Sequence, residues 1–244
     1  MINDNFKRWA LNFGSCDGGD IGSPKNPSIW LCGLEWGGGF KEEELQNIFK
    51  NNDLKIPAIY EDCKENLKYQ FNIKAIKLLA AINGEENHVK FNETFKPFSR
   101  GGKGYFKMNL YPLSFKDTNH NRWTEAISKE TGFKDKDEYI KWIRLNRFPI
   151  FSSWAKEYRP KIIICTGISY KDDFIVAFGD QNTQLQERNF KDYKKFFYFK
   201  NSYGALVVII YFLGGRHGLK SDEEIRRTGK EIAKIYEAYL SKLD

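Results

Sequence analysis

Ser28–Gly39 reads SIWLCGLEWGGG. Its first half carries no charge and is dominated by large apolar side chains. At Gly33 it stops, and a single carboxylate, Glu35, follows among glycines. A short uncharged run of this kind suits a strand covered on both faces, the condition of an inner strand in a parallel sheet. The glycines after it let backbone approach a neighbour or a ligand closely. If Ser28–Gly33 is such a strand, the rest of the chain has to supply its neighbours and two covering layers of helix.

Tyr105–Leu110 (YFKMNL) reads as a second strand, stopped near Pro112, and Lys161–Gly167 (KIIICTG) as the clearest strand of all. Phe196–Asn201 and Ala205–Phe212 flank SYG and suggest a hairpin. Helical patterns fall between them. Phe40–Asn51 is acidic in its first turn, and Asn66–Asn83 has apolar residues at helical spacing and ends at Gly84. Asn121–Thr131 ends at Gly132, and Lys136–Tyr158 is broken or kinked by Pro149. Ser221–Lys242 opens with a serine cap followed by Asp222, Glu223 and Glu224. Strands alternating with helices predict a three-layer α/β/α sandwich with a central, mainly parallel sheet. No repeat or Pro/Ser-rich linker divides the 244 residues, so one domain over 1–244 is expected, long enough to bury a core without disulfides or metals.

Thirty-nine basic residues against 32 acidic give a net charge of +7, which favours an anionic partner such as nucleic acid. A Lys-rich chain with no such partner has the same surplus. Cys16, Cys32, Cys63 and Cys165 show no C-x-x-C spacing, so neither a zinc site nor an iron–sulfur cluster is indicated, and no metal or cofactor is expected. Cys32 and Cys165 lie in apolar runs and read as buried thiols. The opening MINDNFKRWALNF is too polar for a signal peptide, and no apolar run is long enough to span a membrane. The expectation is a cytoplasmic protein with reduced thiols and no membrane partner.

Open α/β sheets bind ligands outside the carboxyl ends of their strands. Three turns would occupy that edge: GLEWGGG, NLYPLS and LGGRHG. In the first, Glu35 is placed to orient or activate a water, or is an exposed residue of a tight turn. The turn has neither G-x-G-x-x-G nor a Walker lysine, which excludes dinucleotide and P-loop readings. In the second, the Asn109 amide offers two donors and an acceptor, suited to the edge of a base or to capping the strand. Before it, KPFSRGGKGYF (Lys96–Phe106) mixes glycines, Lys/Arg and rings, as a phosphate- and base-contacting loop does, and as an ordinary surface loop does. The third carries Arg216-His217-Gly218, the signature with which histidine phosphatases open their site. A phosphohistidine mechanism needs a second histidine downstream, and none follows here. An anion-binding turn ahead of a helix, or a structural turn, is left.

Taken in order, strand–GLEWG–helix, strand–NLYP, strand IIICTG–helix and hairpin–turn–helix resemble the uracil-DNA glycosylase superfamily, most of all its mismatch-specific and thermophile-type branches. There the first strand ends in Gly-x-Asp-Pro-Tyr, Gly-x-Asn-Pro-Gly or Gly-Glu-x-Pro-Gly, and Gly33-Leu34-Glu35-Trp36-Gly37 overlays that turn with Trp36 in place of proline. The family's His-Pro-Ser slot holds Phe212-Leu213-Gly214, with His217 the nearest histidine. The resemblance implies a uracil-DNA glycosylase-like fold and hydrolysis of the N-glycosidic bond of a damaged or deaminated base flipped out of DNA. It implies Glu35 as the water-orienting carboxylate and His217 as the group that stabilises the leaving base. Asn109, Phe98 and Trp36 would hold the base, and Gly37, Arg100, Lys103 and Arg216 the DNA phosphates. The rival expectations are a non-catalytic nucleic-acid or nucleotide-binding module on the same fold, and an unrelated small-molecule α/β enzyme.

Overall fold

The computed structural model describes residues 1–40, 42–50, 55–57, 60–190 and 193–241. The described strands are β1 (Gly18–Gly19), β2 (Gly22–Ser23), β3 (Asn26–Pro27), β4 (Ile29–Gly33), β5 (Tyr105–Asn109), β6 (Ile162–Thr166), β7 (Gln186–Arg188), β8 (Phe196–Lys200) and β9 (Leu206–Ile210). The helices are α1 (Asp4–Ala10), α2 (Glu42–Lys50), α3 (Gln70–Ile82), α4 (His88–Phe95), α5 (Glu125–Thr131), α6 (Lys136–Asn146), α7 (Phe148–Tyr158), α8 (Lys171–Phe178) and α9 (Asp222–Leu240).

One sheet runs in the order β1-β5-β4-β6-β9-β8-β7. Four adjacent strands, β5, β4, β6 and β9, are parallel, with Gly33 opposite Asn109, Cys32 opposite Cys165, and Thr166 opposite Ile210. β1 joins antiparallel at one edge, and β8 and β7 at the other. All residues of β4, β5, β6 and β9 are buried, which is why these strands show no apolar–polar alternation in the sequence. One face of the sheet packs α1, α2 and α6–α8 through Trp30, Phe106, Ile163 and Val207. The other packs α3, α4 and α9 through Leu31, Ile164 and Val208. This is the expected α/β architecture, with helices on both faces of a mostly parallel sheet.

The chain leaves β4 for β5 on one side, then returns past β4 to β6 on the other. That reversal opens a crevice outside the ends of β4 and β6, the position at which such sheets hold their ligands.

Several elements differ from the sequence expectation. Asn66–Asn83 is not one helix: a 3-10 segment, Cys63–Lys68, precedes α3, and Tyr69 between them is extended. Asn66 is drawn inward to donate to the Pro97 carbonyl, a tertiary contact that helical spacing does not encode. Lys136–Tyr158 divides at Arg147, with Pro149 in the first turn of α7, where its missing N–H costs nothing. The helix expected over Asn121–Thr131 shortens to α5, capped by Thr124 and closed by Gly132 at φ 83°. α1 and α4 are additional; each starts at an asparagine cap, Asn3 and Asn87. The ends of the helices expected over Phe40–Asn51 and Ser221–Lys242 fall on Asn51 and Lys242, outside the described residues.

Arg147 is fully buried. Its guanidinium donates to the Leu110 carbonyl (3.1 Å), to Ser15 Oγ (2.5 Å) and to the Ala10 carbonyl, tying α1 to the segment that leaves β5. All four cysteines are free and buried. Among the described residues no helix is long and apolar enough to cross a membrane, and no group of His, Cys, Asp and Glu could hold a metal.

Candidate active site

Beyond β4 the chain stays zipped to the segment that leaves β5. Leu110 donates to the Gly33 carbonyl, Tyr111 to that of Leu34, and Phe115 to that of Trp36. Ser114 closes the turn, accepting from the Gly39 N–H (2.9 Å) and donating to the Gly37 carbonyl (3.0 Å). This second row of hydrogen bonds past the sheet edge holds Glu35 in a fixed place.

Glu35 meets α6. Its Oε2 lies 3.3 Å from Nζ of Lys136, and the two side chains are 9% and 3% exposed. The ammonium also sits 3.9 Å over the Phe115 ring. The second carboxylate oxygen, Oε1, is buried without a hydrogen-bond partner. Burial pushes the Glu35 carboxyl above the ordinary range, and Lys136 beside it pulls the other way.

Glu35 lines a cavity of about 200 Å³ in the crevice at the ends of β4 and β6. Its opposite wall is a second charged set. Asp173, from α8, takes Arg144 Nε at 2.8 Å and Nη2 at 3.1 Å, and accepts from the Tyr111 hydroxyl at 2.8 Å. Tyr170 and Leu34 add apolar surface, and His120, 3.0 Å from Asp137, stands at the rim. The pocket therefore joins an under-bonded carboxylate of raised pKa to two cations and a carboxylate already fully engaged. That combination suits proton transfer from a water and stabilisation of negative charge.

Asn109 ends β5 at the same edge of the sheet but on its other face. Its Nδ2 donates to Asp17 Oδ2 at 2.9 Å, and Asp17 Oδ1 pairs with Lys107 at 3.1 Å. Lys107 reaches Asn72, which donates to the Tyr60 hydroxyl. Gly33 is required here, because a Cβ would come within 2.1 Å of Asn109 Oδ1. Neither Asn109 nor any member of this network lines the Glu35 cavity.

The remaining sequence candidates are spread more widely. Arg216 and His217 are exposed on the turn after β9. That turn is held by its backbone: Lys194 Nζ donates to the carbonyls of His217 (2.7 Å) and Gly218, and a side chain at Gly218 would strike the Phe212 and Gly214 carbonyls. Ser221 Oγ accepts from the Glu224 N–H, and the Glu224 carboxylate reaches back to accept from the Lys220 N–H, so both side chains cap the start of α9. Phe98 is 1% exposed in the core under α3 and α4, with φ 62°. Arg100, paired with Glu61 at 2.7 Å, and Lys103 lie in the loop that feeds β5. A five-residue strand, roughly 13 Å long, separates that loop from the edge where Glu35 stands. Trp36 and Gly37 continue the Glu35 turn; Trp36 Nε1 is buried without a partner, and Gly37 is exposed. Of the sequence candidates, then, Glu35 alone lines this pocket.

Lys136, Arg144, Asp173 and Tyr111 were not singled out by the sequence. Asp173 had a signal, because the segment after a buried strand of a parallel sheet faces the ligand edge. Lys107 had one too, as a charged residue inside an otherwise apolar strand. Lys136 and Arg144 sit in a helix rich in charge, KDEYIKWIRLN, where nothing marks the one that is buried or the one that borders the pocket from the solvent side. No family model matches the chain, and no curated protein matches it.

Proposed function

We propose that the protein hydrolyses the N-glycosidic bond of a base flipped out of DNA, on a uracil-DNA glycosylase-like version of the α/β/α sandwich. The observation that carries the reading is Glu35, which lines a small cavity at the crevice between β4 and β6 and has one carboxylate oxygen, Oε1, buried without a partner. A carboxylate of raised pKa is a stronger base once ionised, and a water held by Glu35 in the cavity would be oriented toward the anomeric carbon. Lys136 and Arg144 would oppose negative charge gathering on the departing base. The Gly33–Gly37 turn supports the family reading, and the reduced, buried thiols accord with a cytoplasmic setting.

The test is release of base from a panel of oligonucleotides bearing uracil, mismatched and damaged bases, with Glu35→Gln as the control. Base release that Glu35→Gln abolishes is expected. No release across the panel would remove the enzymatic reading.

A second reading is favoured by two observations: Glu35 is ion-paired to Lys136, which lowers its basicity, and His217 is exposed on a turn clamped elsewhere. On that reading the protein binds nucleic acid without cleaving it, and salt-dependent binding with intact substrate is the expected result.

A further inference from the structure

A groove of about 410 Å³ lies far from the Glu35 cavity, between the edge strand β7 and the outer face of α9. Helix α9 presents Arg226, Arg227, Lys230 and Lys234 to it at helical spacing, and Arg188 of β7 faces them.

Among the described residues these cations outnumber the carboxylates that pair with them. Glu231 is shared by Arg188 (2.5 Å) and Lys234 (3.8 Å), and Glu86 by Lys230 (3.4 Å) and Arg226 (3.7 Å). Each carboxylate serves two cations. Arg227 has no carboxylate partner among the described residues; its guanidinium lies 4.5 Å from the Tyr193 ring centroid and 5.6 Å from that of Phe190. Glu223, the other acid in the groove, accepts from the Tyr193 hydroxyl at 2.7 Å.

We propose that this groove binds the phosphate backbone of a single-stranded nucleic acid, with a base stacked on the Arg227–Tyr193 platform. Cations in surplus supply the backbone contacts, and the exposed, planar Arg227 guanidinium, backed by the half-buried Tyr193 ring, supplies sequence-tolerant stacking. An unpaired base reaches such a platform, whereas the bases of a duplex are already stacked on one another. The proposal rests on the nucleic-acid reading above but not on catalysis at Glu35.

The experiment is fluorescence anisotropy of a labelled 12-nucleotide single strand, and of the matching duplex, with the full chain over a range of salt concentrations. The single strand is expected to bind more tightly than the duplex. Arg226→Ala and Lys230→Ala are each expected to reduce the slope of log K against log salt by about 0.7. Arg227→Lys keeps the charge and loses the planar stack, so affinity should fall about tenfold with the slope retained. The substituted side chains are exposed, and circular dichroism checks each variant's fold. Wild-type binding by all three variants, or preference for the duplex, overturns the groove and leaves the Glu35 reading standing. Altered binding in these variants alongside no base release upholds the groove and counts against catalysis alone.

Discussion

Lys136 Nζ is held between Glu35 Oε2, at 3.3 Å, and the Phe115 ring, at 3.9 Å, with almost no access to solvent. A buried ammonium in that position sets the protonation of the carboxylate beside it. Glu35 is pushed up by burial and held down by Lys136, and the balance decides the pH at which the site can accept a proton.

Lys136→Met removes the downward pull and keeps the burial. The Glu35 pKa should climb further, so the acidic limb of the activity profile should shift to higher pH. Stability follows the same sign. A folded-state pKa raised above the unfolded value gives stability that is full below the unfolded pKa and lost as pH rises through the folded one. The variant should therefore lose roughly 2–4 kcal/mol at neutral pH, less than a wholly enclosed pair because the cavity adjoins it. Denaturant melts at acidic and neutral pH check this; an equal loss at both would refute it.

Glu35→Gln keeps a carbonyl oxygen that accepts from Lys136 and deletes the base. Base release should drop at least about 100-fold. Anisotropy with a single strand should be unchanged, since the groove on α9 does not involve this residue. A parallel fall in both readouts would show that Glu35 supports the fold rather than the chemistry.

Gly33→Ala places a methyl group 2.1 Å from Asn109 Oδ1. The amide has to rotate, and its bond to Asp17 is lost. A destabilisation of roughly 1–3 kcal/mol is expected from overpacking, measured by urea melts. If the methyl is absorbed without cost, the close approach between β4 and β5 is looser than described.

Arg147→Lys replaces a planar fork by a single ammonium. Lys cannot reach the Ala10, Leu110 and Ser15 acceptors together, so buried acceptors lose their donors. The expected loss is about 3 kcal/mol or more, with no change in the pH profile of any surviving activity.

The layers of this fold were legible because parallel strands buried on both faces leave uncharged runs, and β4, β6 and β9 are written that way. The cap of α9 was legible in part from Ser221 and the acids after it. The pocket was legible only through Glu35. Its partners come from α6 and α8, and which of their side chains reach the pocket depends on how those helices lie on the sheet, which residue spacing does not specify. His217 shows the opposite case: a suggestive motif whose backbone, held by Lys194, accounts for the glycines around it.

The four thiols give the molecule an internal clock. Cys32 and Cys165 are wholly enclosed on the two central strands, and burial raises both thiols well above their ordinary pKa. An alkylating reagent can reach them only when the centre of the sheet comes apart. The rate of their modification in the native protein therefore counts global openings, while Cys63, at the edge of the described core, reports local ones. Comparing the two rates with and without a nucleic acid bound would show whether a ligand steadies the whole sheet or only the layer it touches.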